Sequence, residues 1–154
     1  MRSRSEYEVL RPGSLEEALE ELSRGKGDIR VVAGATDVSV QLRSGAVAER
    51  ELMDISGLRD LRYVREADGG IEIGALATFS DIARSDVVRT AAPILARAAL
   101  SVGSLQIRNL ATLAGNLCTA SPAGDGIPPL ILLGASVRLA SSRGIREIPV
   151  EEFI

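Results

Sequence analysis

Residues 105–125 read Leu105-Gln106-Ile107-Arg108-Asn109-Leu110-Ala111-Thr112-Leu113-Ala114-Gly115-Asn116-Leu117-Cys118-Thr119-Ala120-Ser121-Pro122-Ala123-Gly124-Asp125. Neither a two-residue nor a 3.6-residue period runs through the stretch. The region from Gly103 to Gly126 is therefore expected to be poor in regular structure. Irregular segments this long inside a compact domain are usually functional or disordered. Leucines and alanines interleave throughout, which argues for order. Small residues admit a flat ligand at close range, and Thr112, Asn116, Thr119, Ser121 and Asp125 supply donors and acceptors. The same groups can instead satisfy the loop's own backbone, and composition alone leaves both readings open.

A second informative stretch lies upstream, at Val31-Val32-Ala33-Gly34-Ala35-Thr36-Asp37. A buried strand is expected to run into a glycine turn and then a helix that Thr36 caps. Free backbone N–H groups and the positive end of the helix dipole point the same way in such a turn, which suits phosphate. Gly34 and Ala35 would let a pyrophosphate come close to the backbone. An ordinary strand–helix turn that binds nothing has the same sequence signature.

Around these stretches the chain divides in two. A short strand at Tyr7 to Leu10 is followed by a helix that Ser14 opens, with Glu17 as the capping-box partner. Gly25 and Gly27 stop that helix. Strands at Ile29 to Ala33 and Glu51 to Ile55 flank a helix carrying Val38, Val40 and Leu42, which Gly45 ends. This βαβαβ pattern predicts a small parallel sheet. After Gly57 the pattern changes to a hairpin around Ala67-Asp68-Gly69-Gly70. Thr78 and Asp81 cap a helix through Ile82, and Pro93 breaks or restarts a longer helix from Val87 to Val102. Ile127 to Leu133 is helical, and a last hairpin turns at Ser141-Ser142-Arg143-Gly144. The expected class is α+β: a lobe at residues 1–56, a larger mixed-sheet lobe at 57–154, and a crevice between them.

Composition removes many functions. The 154 residues carry 18 basic and 21 acidic side chains, a net charge of −3 that advertises neither a nucleic-acid nor an anionic-membrane partner. With no histidine and one cysteine, Cys118, the chain cannot build a Ser-His-Asp or Cys-His nucleophile. By itself it also cannot supply the ligands of an iron–sulfur cluster or structural zinc, and no flavin can be tethered through histidine. No segment reaches the ~20 apolar residues of a membrane span. The N-terminal residues have no apolar core of a signal peptide. A lone thiol fits a reducing cytoplasm, the expected location.

The two stretches together resemble the FAD-binding domain of molybdenum hydroxylases, the relatives of xanthine dehydrogenase and aerobic carbon monoxide dehydrogenase. The family's first signature is approximately Ala-Gly-Gly-Thr-Asp-Leu, and here Ala33-Gly34-Ala35-Thr36-Asp37-Val38 matches it. Its second runs Gln-Ile-Arg-Asn, Gly-Thr-Ile-Gly-Gly-Asn, then Ala-Ser-Pro with a following Asp. Gln106 to Asn109, Ala111 to Asn116 and Ala120 to Asp125 match those pieces. Leu52 to Ile55, Ile73 to Thr78 and Tyr7 to Ala18 also look like family text, so the resemblance covers essentially the whole chain.

The resemblance implies a PCMH-type FAD-binding fold with non-covalent FAD extended between the lobes. Val32, Ala33, Gly34, Ala35, Thr36 and Asp37 would wrap the pyrophosphate. Thr112, Gly115, Asn116, Thr119 and Asp125 match positions that contact the flavin half and the ribityl–phosphate chain, with Ala111 beside them. No side chain of this chain is expected to be catalytic, and none to bind a metal. A molybdopterin-bearing large subunit and a [2Fe–2S] small subunit would be the partners. Electrons would pass through FAD to NAD⁺ or a quinone. Members of that family continue beyond the equivalent of Phe153 into more of the flavin lobe and a C-terminal domain, which is expected to be absent here. Ala35 and Ala114 each stand where the family has glycine. If such a position needs a positive φ, alanine costs stability; if glycine only makes room, the methyl crowds the cofactor.

Two other readings are set beside this one. A nicotinamide-binding Rossmann half would use the strand–turn–helix at Val31 to Val38 and Asp54 on the ribose, but only one of its three fingerprint glycines is present. A structural or assembly subunit would keep the fold and bind no flavin.

Overall fold

Strands β1 (Glu8–Leu10), β2 (Ile29–Val32) and β3 (Glu51–Asp54) pair in parallel in the order β1-β3-β2. Parallel neighbours need crossovers, and helices α1 (Leu15–Arg24) and α2 (Val38–Ser44) supply them. The expected βαβαβ opening is therefore present. This computed structural model describes residues 7–25 and 27–154.

The helix starts are built from nearby hydrogen bonds, not always those expected. Ser14 Oγ accepts the N–H of Glu17 at 3.2 Å, but the Glu17 carboxylate reaches back to the N–H of Gly13, at 2.7 Å, instead of Ser14. Thr36 does not cap α2. Asp37 holds the capping position with no side-chain cap, while the Ser39 N–H already bonds the Ala35 carbonyl at 2.9 Å. Ala35 has φ +58°, so the chain turns before Thr36 can take the extended geometry a cap needs. Gly45, in the left-handed region, ends α2 as expected. Strand β2 is also less buried than its sequence suggests, with Val31 40% exposed. It lies at an edge of the sheet, and α2 buries none of its own residues.

The other face of the sheet holds the first core. Met53 and Ala18 are buried there with Leu10, Leu22 and Ile29 packed round them. Leu58 and Leu76, from beyond the sheet, close the same cluster. A 3-10 turn at Arg59–Leu61 leads into an antiparallel hairpin, β4 (Val64–Ala67) and β5 (Gly70–Ile73), turned by Asp68 and Gly69 as predicted.

The second core is nearly all aliphatic. Phe79, Ile82, Val88, Leu95, Leu113 and Leu117 are among its buried members. They come from α3 (Phe79–Arg84), α4 (Asp86–Ala91), α5 (Pro93–Ser101) and a short helix described next. Pro93 opens α5 in its first turn, where its missing N–H costs nothing.

The main correction falls on residues 103–126. The expected irregular segment contains α6 (Leu105–Arg108) and α7 (Leu113–Thr119). Leu113 and Leu117, four apart, both point into the second core. Two turns are too short for that spacing to register as a period. Helix α8 (Ile127–Leu132) follows, with prolines in its first turn. A second antiparallel hairpin pairs β6 (Ser136–Ser141) with β7 (Gly144–Pro149). Val150 opens α9 (Val150–Phe153) directly after that strand and is buried. Among the described residues, parallel and antiparallel pairing occur in separate sheets and not within one mixed sheet. Glu72 bridges the two hairpins, pairing with Arg65 at 2.6 Å and Arg138 at 3.3 Å.

Ala35 and Ala114 now separate. Ala35 sits where glycine would be relaxed, whereas Ala114 lies inside α7, where alanine is the better residue. Urea denaturation is expected to show Ala35→Gly stabilising by about 1 kcal/mol and Ala114→Gly destabilising by about 1 kcal/mol. Phe79→Ala should cost about 3–5 kcal/mol by the same measurement, because Phe79 is the largest side chain buried in the second core and its loss leaves a cavity.

Candidate functional site

The link between β2 and α2 lies against the segment that leads into α7. At Gly34 the contact is backbone on backbone. A Cβ built there would stand 1.9 Å from the Leu110 carbonyl oxygen and 3.1 Å from the Ala111 nitrogen. From the sequence, Gly34 is expected to let a pyrophosphate come close to the backbone. The observed neighbour on that side is the other segment of the chain.

The N–H groups of Gly34, Ala35, Thr36 and Asp37 donate to no protein acceptor among the described residues. The carbonyls of Val32, Ala35 and Asp37, by contrast, all accept. Successive unpaired amides around a left-handed residue form a concave donor set for an anionic oxygen. Such a set fits a diphosphate. The Asp37 carboxylate accepts from the Thr119 hydroxyl at 3.5 Å, a second contact between the two segments.

The second segment is placed by an antiparallel bridge between Thr78 and Thr112. The Phe79 N–H donates to the Ala111 carbonyl at 3.0 Å, and the Leu113 N–H to the Ala77 carbonyl at 3.2 Å. Thr112 is buried, and its Oγ1 accepts the Gly115 N–H at 3.0 Å, which starts α7. Asn116 Oδ1 accepts the Gly126 N–H at 3.2 Å and so ties α7 to the turn before α8. Ser121 Oγ accepts the Ala123 N–H at 3.3 Å. The oxygens of Thr112, Asn116 and Ser121 thus serve the local backbone, one of the two readings left open by composition. The Asn116 amide nitrogen and the N–H groups of Thr112 and Ala114 make no protein hydrogen bond among the described residues.

The structure therefore brings Val32, Ala33, Gly34, Ala35, Thr36 and Asp37 to the side of Ala111 and Thr119, while Thr112, Gly115 and Asn116 form the start of α7. Asp125 is exposed next to Gly126, and its carboxylate meets no described hydrogen-bond partner. Two contributors escaped the sequence reading: the Leu110 backbone and the partner segment around Thr78. Neither carries a local signal, because both act through main-chain contacts with residues distant in sequence.

Backbone strain marks the same place. Among the described residues only Ala35 and Ala120 are non-glycine residues with positive φ, at +58° and +47°. One lies in each segment. Strained backbone of this kind persists where surrounding contacts over-determine it, and it clusters at ligand sites.

Titratable chemistry is sparse. Asp54 lines an open, largely apolar cleft of about 310 Å³ beside Ala33 and Ala35. Hydrogen bonds from Ser56 hold its carboxyl below the usual range, with Arg11 adding to the effect. Cys118 is exposed as a residue, yet burial of its sulfur pushes the thiol up, so it is no ready thiolate. The described residues contain no cluster of three or more metal-ligating side chains. No described helix is long and apolar enough to cross a membrane.

Residues 5–154 match the model of the family described as the FAD binding domain in molybdopterin dehydrogenase. The FAD subunit of nicotinate dehydrogenase from Eubacterium barkeri is 39% identical over 150 residues, covering 96% of this chain and 50% of that protein. The glyceraldehyde dehydrogenase medium chain of Sulfolobus acidocaldarius is 32% identical over 148 residues, 96% of this chain and 52% of that one. Among solved structures, carbon monoxide dehydrogenase from Hydrogenophaga pseudoflava superposes with a TM-score of 0.90 at 28% identity, over 94% of this chain and 50% of that chain. The chain spans about half the length of the curated relatives it matches. An α+β chain whose residues 5–154 match that family model, and 94% of which superposes on carbon monoxide dehydrogenase, belongs to the family of FAD-binding domains of molybdopterin dehydrogenases.

Proposed function

We propose that this chain holds FAD non-covalently in the crevice between the 32–37 and 111–125 segments, within a molybdenum hydroxylase complex. The supporting observation is the run of four unpaired amides at residues 34–37, pressed against the second segment at Gly34. Residues 1–56 and 57–154 are the two lobes of that arrangement. Of these, 1–6 and 26 lie outside the described residues.

Each residue has a task in this reading. The amides of Gly34, Ala35, Thr36 and Asp37 bind the diphosphate, and the left-handed turn at Ala35 aims them. Thr112 and Asn116 fix the start of α7 through their oxygens. The Asn116 amide and the Thr112 and Ala114 N–H groups then orient the flavin half. Gly115 and Thr119 line the same helix, Ala111 packs beside it, and Asp125 contributes from the turn before α8. When bound, FAD supplies reversible transfer of one or two electrons; the protein supplies orientation and electrostatics. The chain has no histidine, so it brings no side chain that titrates near neutral pH by default.

The complex would be cytoplasmic. A molybdopterin-bearing large subunit would oxidise the organic substrate, and a [2Fe–2S] small subunit would deliver electrons toward this chain. NAD⁺ or a quinone would accept them. Names such as nicotinate dehydrogenase FAD-subunit and xanthine dehydrogenase FAD-binding subunit among the relatives support that role. A non-flavin structural subunit is the alternative outcome of the test.

The purified chain should be saturated with FAD, desalted and examined by visible spectroscopy. Co-eluting flavin bands with quenched fluorescence are expected; a colourless protein overturns flavin binding by this chain alone. Gly34→Ala should weaken FAD retention at least about tenfold in a fluorescence titration, roughly 1.4 kcal/mol, because the methyl displaces the Leu110 backbone.

A further inference from the structure

The second segment owes its place to a partner outside both signatures. Residues 111–113 pair with residues 77–79 through the two backbone bonds at 3.0 and 3.2 Å. Thr78, in the middle of that pairing, is also the N-cap of α3. Its extended backbone, φ −82° and ψ 160°, must serve a bridge on one side and a helix start on the other. What holds it there is a complete capping box. The Asp81 N–H donates to Thr78 Oγ1 at 3.1 Å, and the Thr78 N–H donates to Asp81 Oδ2 at 3.0 Å. Thr78 is only 5% exposed, so removing that carboxylate would leave its N–H buried without an acceptor.

Asp81 is itself clamped. Arg62 Nε donates to Oδ2 at 2.8 Å and Arg62 Nη2 to Oδ1 at 3.0 Å, the two-pronged geometry that fixes a carboxylate plane. Arg62 follows the 3-10 turn whose Leu61 carbonyl accepts the Leu76 N–H at 2.9 Å. Leu61 and Leu76 both belong to the first core. A continuous set of contacts thus runs from the first core through Arg62, Asp81 and Thr78 to Ala111 and Thr112.

We infer that Asp81, clamped by Arg62, is a positioning residue for the flavin crevice: through Thr78 it sets where residues 111–113, and hence the start of α7, stand against the 32–37 link. This rests on the proposed FAD reading for its functional meaning. Its structural content does not need the flavin.

The test uses the full chain, with and without FAD. In Asp81→Ala, which removes the acceptor of the Thr78 N–H, hydrogen–deuterium exchange without FAD should speed up at least tenfold at the Phe79 and Leu113 amides, and FAD affinity should fall about tenfold. Asp81→Glu retains a carboxylate at the same capping position and should restore slow exchange and binding to within about threefold. Glu72→Gln, which breaks a comparable surface arginine pair between the hairpins, is the control and should leave those two amides unchanged. Arg62→Gln keeps the box but removes the clamp, and should shift exchange in the same direction by a smaller factor; it also stands in if Asp81→Ala does not fold. Exchange within twofold of wild type in Asp81→Ala, or equal acceleration in Glu72→Gln, overturns the inference. A wild-type chain that takes up no FAD overturns the flavin reading instead, and the exchange measurements still decide the positioning role.

Discussion

The contact between Gly34 and the Leu110 carbonyl is the constraint on which the rest of the site depends. Two backbones approach so closely that a methyl would overlap the carbonyl oxygen. Only glycine permits this approach. It leaves the amides of residues 34–37 unpaired beside a segment that is itself fixed by main-chain bonds. The turn cannot relax by pairing those amides internally, because Ala35 is held in the left-handed region and the helix begins only at Val38. Unpaired donors in a fixed concave array are ready to bind an anionic ligand.

The polar residues of the second segment have two jobs at once. Thr112 and Asn116 each give their oxygen to a backbone N–H, so the short helix α7 and the turn after it are internally satisfied. Their remaining donors are then held in place by bonds already made. This is how a seven-residue helix, too short to be stable alone, becomes a fixed wall: Leu113 and Leu117 bury one face while capping fixes its start. The two non-glycine residues with positive φ, Ala35 and Ala120, fall one in each wall, where tertiary contacts sustain the strain.

Electrostatics plays a supporting part. Arg62 with Asp81 links the first core to the bridge under α7, whereas Arg65, Glu72 and Arg138 join the two hairpins on the surface. The first pair matters because it also satisfies a buried N–H. The second set is solvated, and such pairs contribute little to stability.

Much of the fold was legible because its signals are local. Gly25, Gly45 and the Asp68-Gly69 turn mark where elements end, and the Thr78–Asp81 capping box and Pro93 mark where helices begin. Each reports on hydrogen bonds within a few residues, so the sequence by itself determined the βαβαβ opening, both hairpins and the family signatures. It also determined that no histidine chemistry is present. It misplaced the cap of α2, because the backbone at Ala35 turns first. It missed α6 and α7, because four and seven residues cannot display a helical period. Only the tertiary structure decided why Gly34 is glycine, which oxygens of the 111–125 segment are spent on its own backbone, and that Thr78 lies opposite Thr112. Those facts are main-chain contacts between residues far apart in sequence, and main-chain atoms are the same at every position. A residue pattern therefore carries no mark of them.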